Sequence, residues 1–143
     1  LRGCIGNLSP IPLGSGLRRY AIVSSMEDRR FSPIEASDLP SLRCTVSLLV
    51  DFEEGLGAYD WDVGTHGIII DFAVKGRRYS GTYLPEVMPE QGWDREAAVR
   101  SLIRKTGYRG DATAALIASI SLTRYKSSKC SLTYDEWMSS IAT

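Results

Sequence analysis

The sequence is short of everything that marks a membrane or secreted protein. No apolar run approaches the roughly 18 residues that span a bilayer, and the start lacks the basic-then-apolar pattern of a signal peptide. The expectation is a soluble, intracellular chain. Cysteine is scarce: Cys4, Cys44 and Cys130 are odd in number, far apart and without a C-x-x-C pair, which argues against a disulfide scaffold and a structural zinc site. No Walker loop, dinucleotide fingerprint or H-E-x-x-H occurs, which disfavours nucleotide hydrolysis, Rossmann redox chemistry and zincin proteolysis. Neither a cofactor nor a metal is expected. Histidine occurs once, so His66 is the side chain suited to unperturbed general-base work near neutral pH.

Charge of one sign is also missing, with 17 basic residues against 17 acidic. A neutral domain is a poor candidate for a broad, non-specific phosphate footprint. The balance is uneven along the chain: residues 1–50 carry +2, residues 51–74 carry −6 and residues 75–143 carry +4. Thirteen of the cations are arginine, which suits planar carboxylate or phosphate recognition. With 143 residues, 43 % hydrophobic and 24 % charged, the chain fits one domain, 1–143, with a real core and no linker or repeat.

Local patterns predict an α+β fold of antiparallel β-sheets with packed helices. Pro10, Pro12, Gly14 and Gly16 predict a loop, with Ser15 capping a helix over about 17–28 whose face is Leu17, Tyr20, Ala21, Ser24 and Ser25. Alternation over Arg43–Phe52 predicts a strand that turns Cys44, Val46, Leu48, Val50 and Phe52 to the core, making Cys44 an inert core thiol. Residues 68–74 and 78–84, joined through Gly76, read as a β-hairpin. Asp94 opens a helix to Lys105 that Gly107 stops, with Ala98, Val99, Leu102 and Ile103 inward. A short helix over 112–118 capped by Asp111 comes next, then a strand over 119–125, a turn at 126–129 and a strand over 130–133. The capping-box pattern of Thr133 and Glu136 opens a last helix.

Several blocks carry a family resemblance: LRGCIG at the start, RFSPI from Arg30, LP at Leu39, VSLL from Val46, DWDVGTHGI from Asp60, TYLPEV from Thr82, EQGWD from Glu90 and LTRY from Leu122. In order and spacing the chain resembles the AMMECR family along its whole length. The resemblance implies an α+β fold in two unequal lobes, a cleft beside LRGCIG and a cytoplasmic or nuclear location. Prokaryotic members stand beside, or fused to, Memo-like and radical SAM proteins, which implies a pathway that modifies a small molecule or nucleic acid. Family members carry a helix and a strand before LRGCIG, whereas this chain begins on the motif. Without them, a strand next to Cys4 would lack its neighbour, leaving a sheet edge and core surface exposed.

Three candidates for catalysis follow. Cys4, between Gly3 and Gly6 and near Arg2, reads as a thiolate nucleophile or ligand, since flanking glycines allow close backbone approach; the bland alternative is a buried structural thiol. His66 reads as an exposed-loop base that Asp60 or Asp62 could orient, against a turn histidine bonded to Asp62. Glu86 reads as an acid, a base or a metal ligand in a proline-fixed turn, against a solvated loop carboxylate. Arg2, Gly3, Gly6, Asp60, Trp61, Asp62 and Trp93 are the candidate substrate or partner contacts, although large aromatics such as Trp61, Tyr83 and Trp93 more often fill cores. The acids Asp51, Glu53, Glu54, Asp60 and Asp62 lack EF-hand spacing and read as a hydrated loop. Two functions fit. In one, Cys4, His66 and Glu86 surround a cleft that binds or modifies a small molecule or nucleic-acid component. In the other, the domain is a non-catalytic module that docks a protein or nucleic acid. No membrane partner is expected.

Overall fold

Four strands set the frame. In the computed structural model, which describes residues 1–142, β1 (Arg43–Leu56), β2 (Gly67–Val74), β3 (Arg77–Tyr83) and β4 (Ser121–Thr133) form one sheet in the order β1-β4-β2-β3. β2 pairs antiparallel with both neighbours, Ile70 lying opposite Gly81 of β3 and Leu122 of β4. The β2–β3 turn is Lys75-Gly76, both at positive φ (49° and 77°), and Val74 faces Arg77 across it. Two consecutive left-handed residues define the turn whose twist matches the strands it joins. The chain divides into two units, Leu1–Val46 with the residues from Cys130 onward, and Ser47–Lys129.

The second unit is built around apolar burial. Ile68, Ile70 and Phe72 alternate along β2 and meet Ala98, Val99, Leu102 and Ile103 of helix α3 (Arg95–Lys105), together with Trp61, Met88 and Leu122. Fully burying one such large side chain is worth about 1.5–3 kcal/mol. The Asp94 side chain accepts from the Ala97 N–H at 2.8 Å, and Gly107 (φ 87°) ends the helix. Helix α2 (Val87–Gln91) was not legible in advance; Glu86 stands at its N-cap, and Gly92 (φ 67°) stops it. Helix α4 is shorter than expected, Ala114–Ala118, and Thr113 rather than Asp111 caps it by accepting from the Leu116 N–H at 3.2 Å.

The first unit is organised differently. Helix α1 (Leu13–Ile22) begins four residues earlier than expected and has no side-chain cap. Pro12, with φ −59°, presets the helical turn, and its carbonyl accepts from the Gly16 N–H at 2.8 Å. Gly16 is buried because Ile11 packs 2.6 Å from where its Cβ would stand. The helix then widens into a π-turn over Val23–Glu27, where the Ser24 and Ser25 hydroxyls bond back to the Ala21 carbonyl and compete with the backbone ladder. A 3₁₀ turn (Ala36–Ser41) holds Pro40 and is closed by reciprocal bonds between Glu35 and Asp38, an acid-x-x-acid capping signal present in the sequence. Helix α5 (Tyr134–Ile141) carries the expected Thr133/Glu136 capping box.

Four expectations need correction. Residues 1–12 up to the helix contain no strand, so Cys4 sits on an irregular segment. Cys44 is exposed rather than buried, as are Leu48 and Phe52. The expected alternation of β1 fails at Leu49 and Val50, which are both half-buried, and Asp51 follows in left-handed backbone (φ 54°). Residues 126–129 make no turn: β4 runs straight through them, with Lys126 paired to Asp51 at 3.2 Å and Lys129 to Glu86 at 2.8 Å.

Candidate functional site

In the first unit, the opening segment is held by its backbone. Asp28 is buried, and its carboxylate accepts from the Cys4 N–H at 2.9 Å, from Arg30 Nη2 at 2.7 Å and from Arg30 Nε at 2.9 Å. Arg30 Nη2 also donates to the Cys4 carbonyl at 2.6 Å. One ion pair therefore takes both backbone groups of Cys4, and its thiol remains exposed. The Arg30 hydrogen bonds, then the Cys4 N–H, hold the Asp28 carboxyl well below the usual carboxylate range despite its burial. Asp28 and Phe31 also line a hollow of about 430 Å³ with Met26, Glu27, Arg29 and Pro33. Arg2 is not an unopposed cation beside the thiol: it pairs with Asp38 at 2.6 Å. Gly3 is required by packing, because a Cβ there would fall on the Ser24 carbonyl, whereas Gly6 stands in open space.

The other candidates belong to the second unit. His66 is 6 % exposed, not on an open loop, because the turn Asp62-Val63-Gly64-Thr65 folds it inward. Its Nδ1 accepts from the Asp62 backbone N–H at 2.9 Å, while the Asp62 carboxylate stands 3.8 Å away. A ring nitrogen that accepts carries no proton, so Asp62 does not orient His66 as the acid of a triad does. Asp62 bonds Arg95 at 2.7 Å, and Asp60 accepts from the Gly57 N–H at 2.9 Å. Burial, then the Arg124 cation, pushes the His66 pKa below its ordinary value, with Asp62 pulling the other way. Burial alone would raise the Glu86 carboxyl; the Lys129 ammonium and the backbone outweigh it, and the net shift is downward.

Trp61 is 1 % exposed and donates from Nε1 to the Ala58 carbonyl at 3.0 Å, so it is core and has no free face for a partner. Trp93 is half-buried against Tyr83, ring centres 5.6 Å apart. Among the described residues no three His, Cys, Asp or Glu side chains come together as a metal would require, and Glu53 grips Arg124 through both oxygens, at 2.7 and 3.1 Å. An open hollow of about 860 Å³ lies between Tyr59, the start of α3 at Arg95, and Ile117 of α4. Neither His66 nor Glu86 lines it.

Comparison with known proteins decides the kinship. A family profile described as AMMECR1 matches residues 1–130. The chain belongs to the AMMECR1 family. An uncharacterized protein of Arabidopsis thaliana is 50 % identical over 141 residues, covering 97 % of this chain and 66 % of its own length. An uncharacterized protein of Schizosaccharomyces pombe is 44 % identical over 138 residues, covering 96 % of this chain and 70 % of its own. The crystal structure of an uncharacterized protein from Pyrococcus horikoshii is 30 % identical with a TM-score of 0.68, covering 91 % of this chain and 64 % of that one. This AMMECR1-family chain thus spans about two thirds of these relatives. The α+β class and the family resemblance read from the sequence both hold. Among the described residues no helix is long and apolar enough to cross a membrane.

Proposed function

We propose that this AMMECR1-family domain binds or modifies a small molecule or nucleic-acid component through its opening segment, acting in the cytoplasm or nucleus. Cys4 is the thiol that meets the ligand; His66 and Glu86, candidates for moving protons, belong to the second unit. The observation that carries the reading is the clamp on Cys4: a buried carboxylate and its arginine fix the backbone on both sides of the residue while the sulfur stays accessible. Such fixing lowers the ordering cost of a contact made by the side chain.

The test is competitive alkylation by iodoacetamide. All three cysteines are exposed, so accessibility does not separate them. Cys4 should label several-fold faster than Cys44 and Cys130, and Asp28→Ala, which releases the clamp, should slow Cys4 alone. Equal rates at the three thiols, unmoved by Asp28→Ala, overturn the reading. A specific observation favours the second one, a non-catalytic docking module: His66 spends its Nδ1 on a backbone N–H and Glu86 is ion-paired, so neither is a free base. On that reading the three thiols label alike, and Cys4→Ser leaves partner capture intact while Trp93→Ala removes it.

A further inference from the structure

β3 is an edge strand, and its outer side is the feature that the proposed function leaves unused. The pair that closes a two-residue hairpin is hydrogen-bonded, so Arg77, Tyr79, Gly81 and Tyr83 aim their backbone groups at β2, and Arg78, Ser80 and Thr82 aim theirs outward. Lys105 Nζ occupies the Thr82 carbonyl at 2.8 Å. No described side chain bonds the Arg78 or Ser80 backbone. Such an edge is a template for another strand unless something selects against it.

Charge does the selecting. Arg2, Arg30, Arg95, Arg100, Arg124, Lys126 and Lys129 are all paired with carboxylates. Lys75, Arg77 and Arg78 at the hairpin end of β3, and Lys105 and Arg109 beside it, have no carboxylate of the described residues within 4 Å. Arg77 lies 5.1 Å over the Tyr79 ring, Tyr79 abuts Tyr108 at 5.3 Å next to Arg109, and Lys105 lies 4.5 Å over Tyr83, which gathers these cations along one strand. Asp71, opposite Ser80 in the register, pairs with none of them. A second copy would bring the same cations against this edge and be repelled. Nucleic acid fits less well: Tyr79, Tyr108 and Phe72 pack on one another at 5.2–5.7 Å and present no free ring for a base.

We infer that the β3 edge docks an acidic peptide in extended conformation, which adds a strand beside Arg78–Thr82 and places carboxylates against Arg77, Arg78 and Lys105. The test titrates three probes into the 143-residue chain and follows its backbone amides by NMR: a blocked Glu-Glu-Thr-Glu-Glu-Thr hexapeptide, which puts carboxylates on both faces of an added strand, its Lys/Thr counterpart, and a twelve-residue oligo-dT. The Glu/Thr peptide should shift the Arg78 and Ser80 amides. Ser80→Pro, which removes one outward N–H and no charge, should weaken it at least tenfold, and Arg78→Glu should abolish it. Both positions are exposed, and an unchanged spectrum elsewhere confirms that each variant folds. The inference is overturned if the β3 amides do not respond, if Ser80→Pro binds as the parent does, or if the Lys/Thr peptide or the oligonucleotide shifts the same amides as strongly.

Discussion

The two units solve the stability problem with different chemistry. In the second, thirteen buried apolar residues meet in one cluster, from Ala58 and Trp61 through β2 and α3 to Leu122. In the first, the only buried residues among those described are Gly16 and Asp28, while Leu13, Leu17, Ile22, Met26, Trp137, Met138 and Ile141 stand exposed. That unit is held instead by capping boxes and by ion pairs such as Asp28–Arg30 and Arg2–Asp38. The candidate thiol sits in the polar-tethered unit and the candidate base in the apolar one. A side chain anchored by hydrogen bonds at the surface stays accessible; one placed beside a closed core is desolvated and loses basicity.

Mutation of each unit's apolar residues should break or confirm this contrast most strongly. Leu102→Ala empties a fully buried site and should cost about 2–5 kcal/mol by urea denaturation. Met138→Ala, at a residue 42 % exposed, should cost about 0.5 kcal/mol or less. Similar losses from the two would erase the distinction.

Acid should separate the units with a smaller effect. The folded-state pKa of His66 is depressed, so the unfolded chain takes up that proton first, near the ordinary value of about 6.5, and stability falls as pH drops from there toward the folded value. Asp28 is also depressed, but as a carboxyl its contribution is intact above the ordinary value of about 3.9 and is lost only as pH falls through the lowered one. Denaturation from pH 7.5 down to pH 1 should therefore show two legs, the upper one absent in His66→Asn. A flat profile down to pH 4 in the parent chain would contradict the assignment.

What was legible in the sequence follows the same division. The hairpin at Lys75-Gly76, the Asp94-to-Gly107 helix and its inward face were readable, because in the apolar unit local signal and burial agree. Cys44, Leu48 and Phe52 were misread because period-two alternation says that a strand has two faces, not that one of them is covered. The start of α1 was missed because Gly14 and Gly16 argue locally against helix, and only the packing of Ile11 on Gly16 overrides them. Of the candidate site, the exposed Cys4 thiol was readable as a candidate. Its clamp was not, since Asp28 and Arg30 lie 24 and 26 residues away and read locally as a helix end. The Glu35–Asp38 box was a missed signal that was present.

Asp28 and Arg30 must hold the Cys4 backbone for the proposed function to stand. Native-state hydrogen exchange at the Cys4 backbone amide tests this most directly. The Cys4 N–H should exchange markedly more slowly than the amides of Ile5 and Gly6, and Asp28→Ala should bring it to their rate while the amides of Ile68 and Ile70 are unaffected. A Cys4 amide in the parent chain that exchanges as fast as its neighbours would contradict the account.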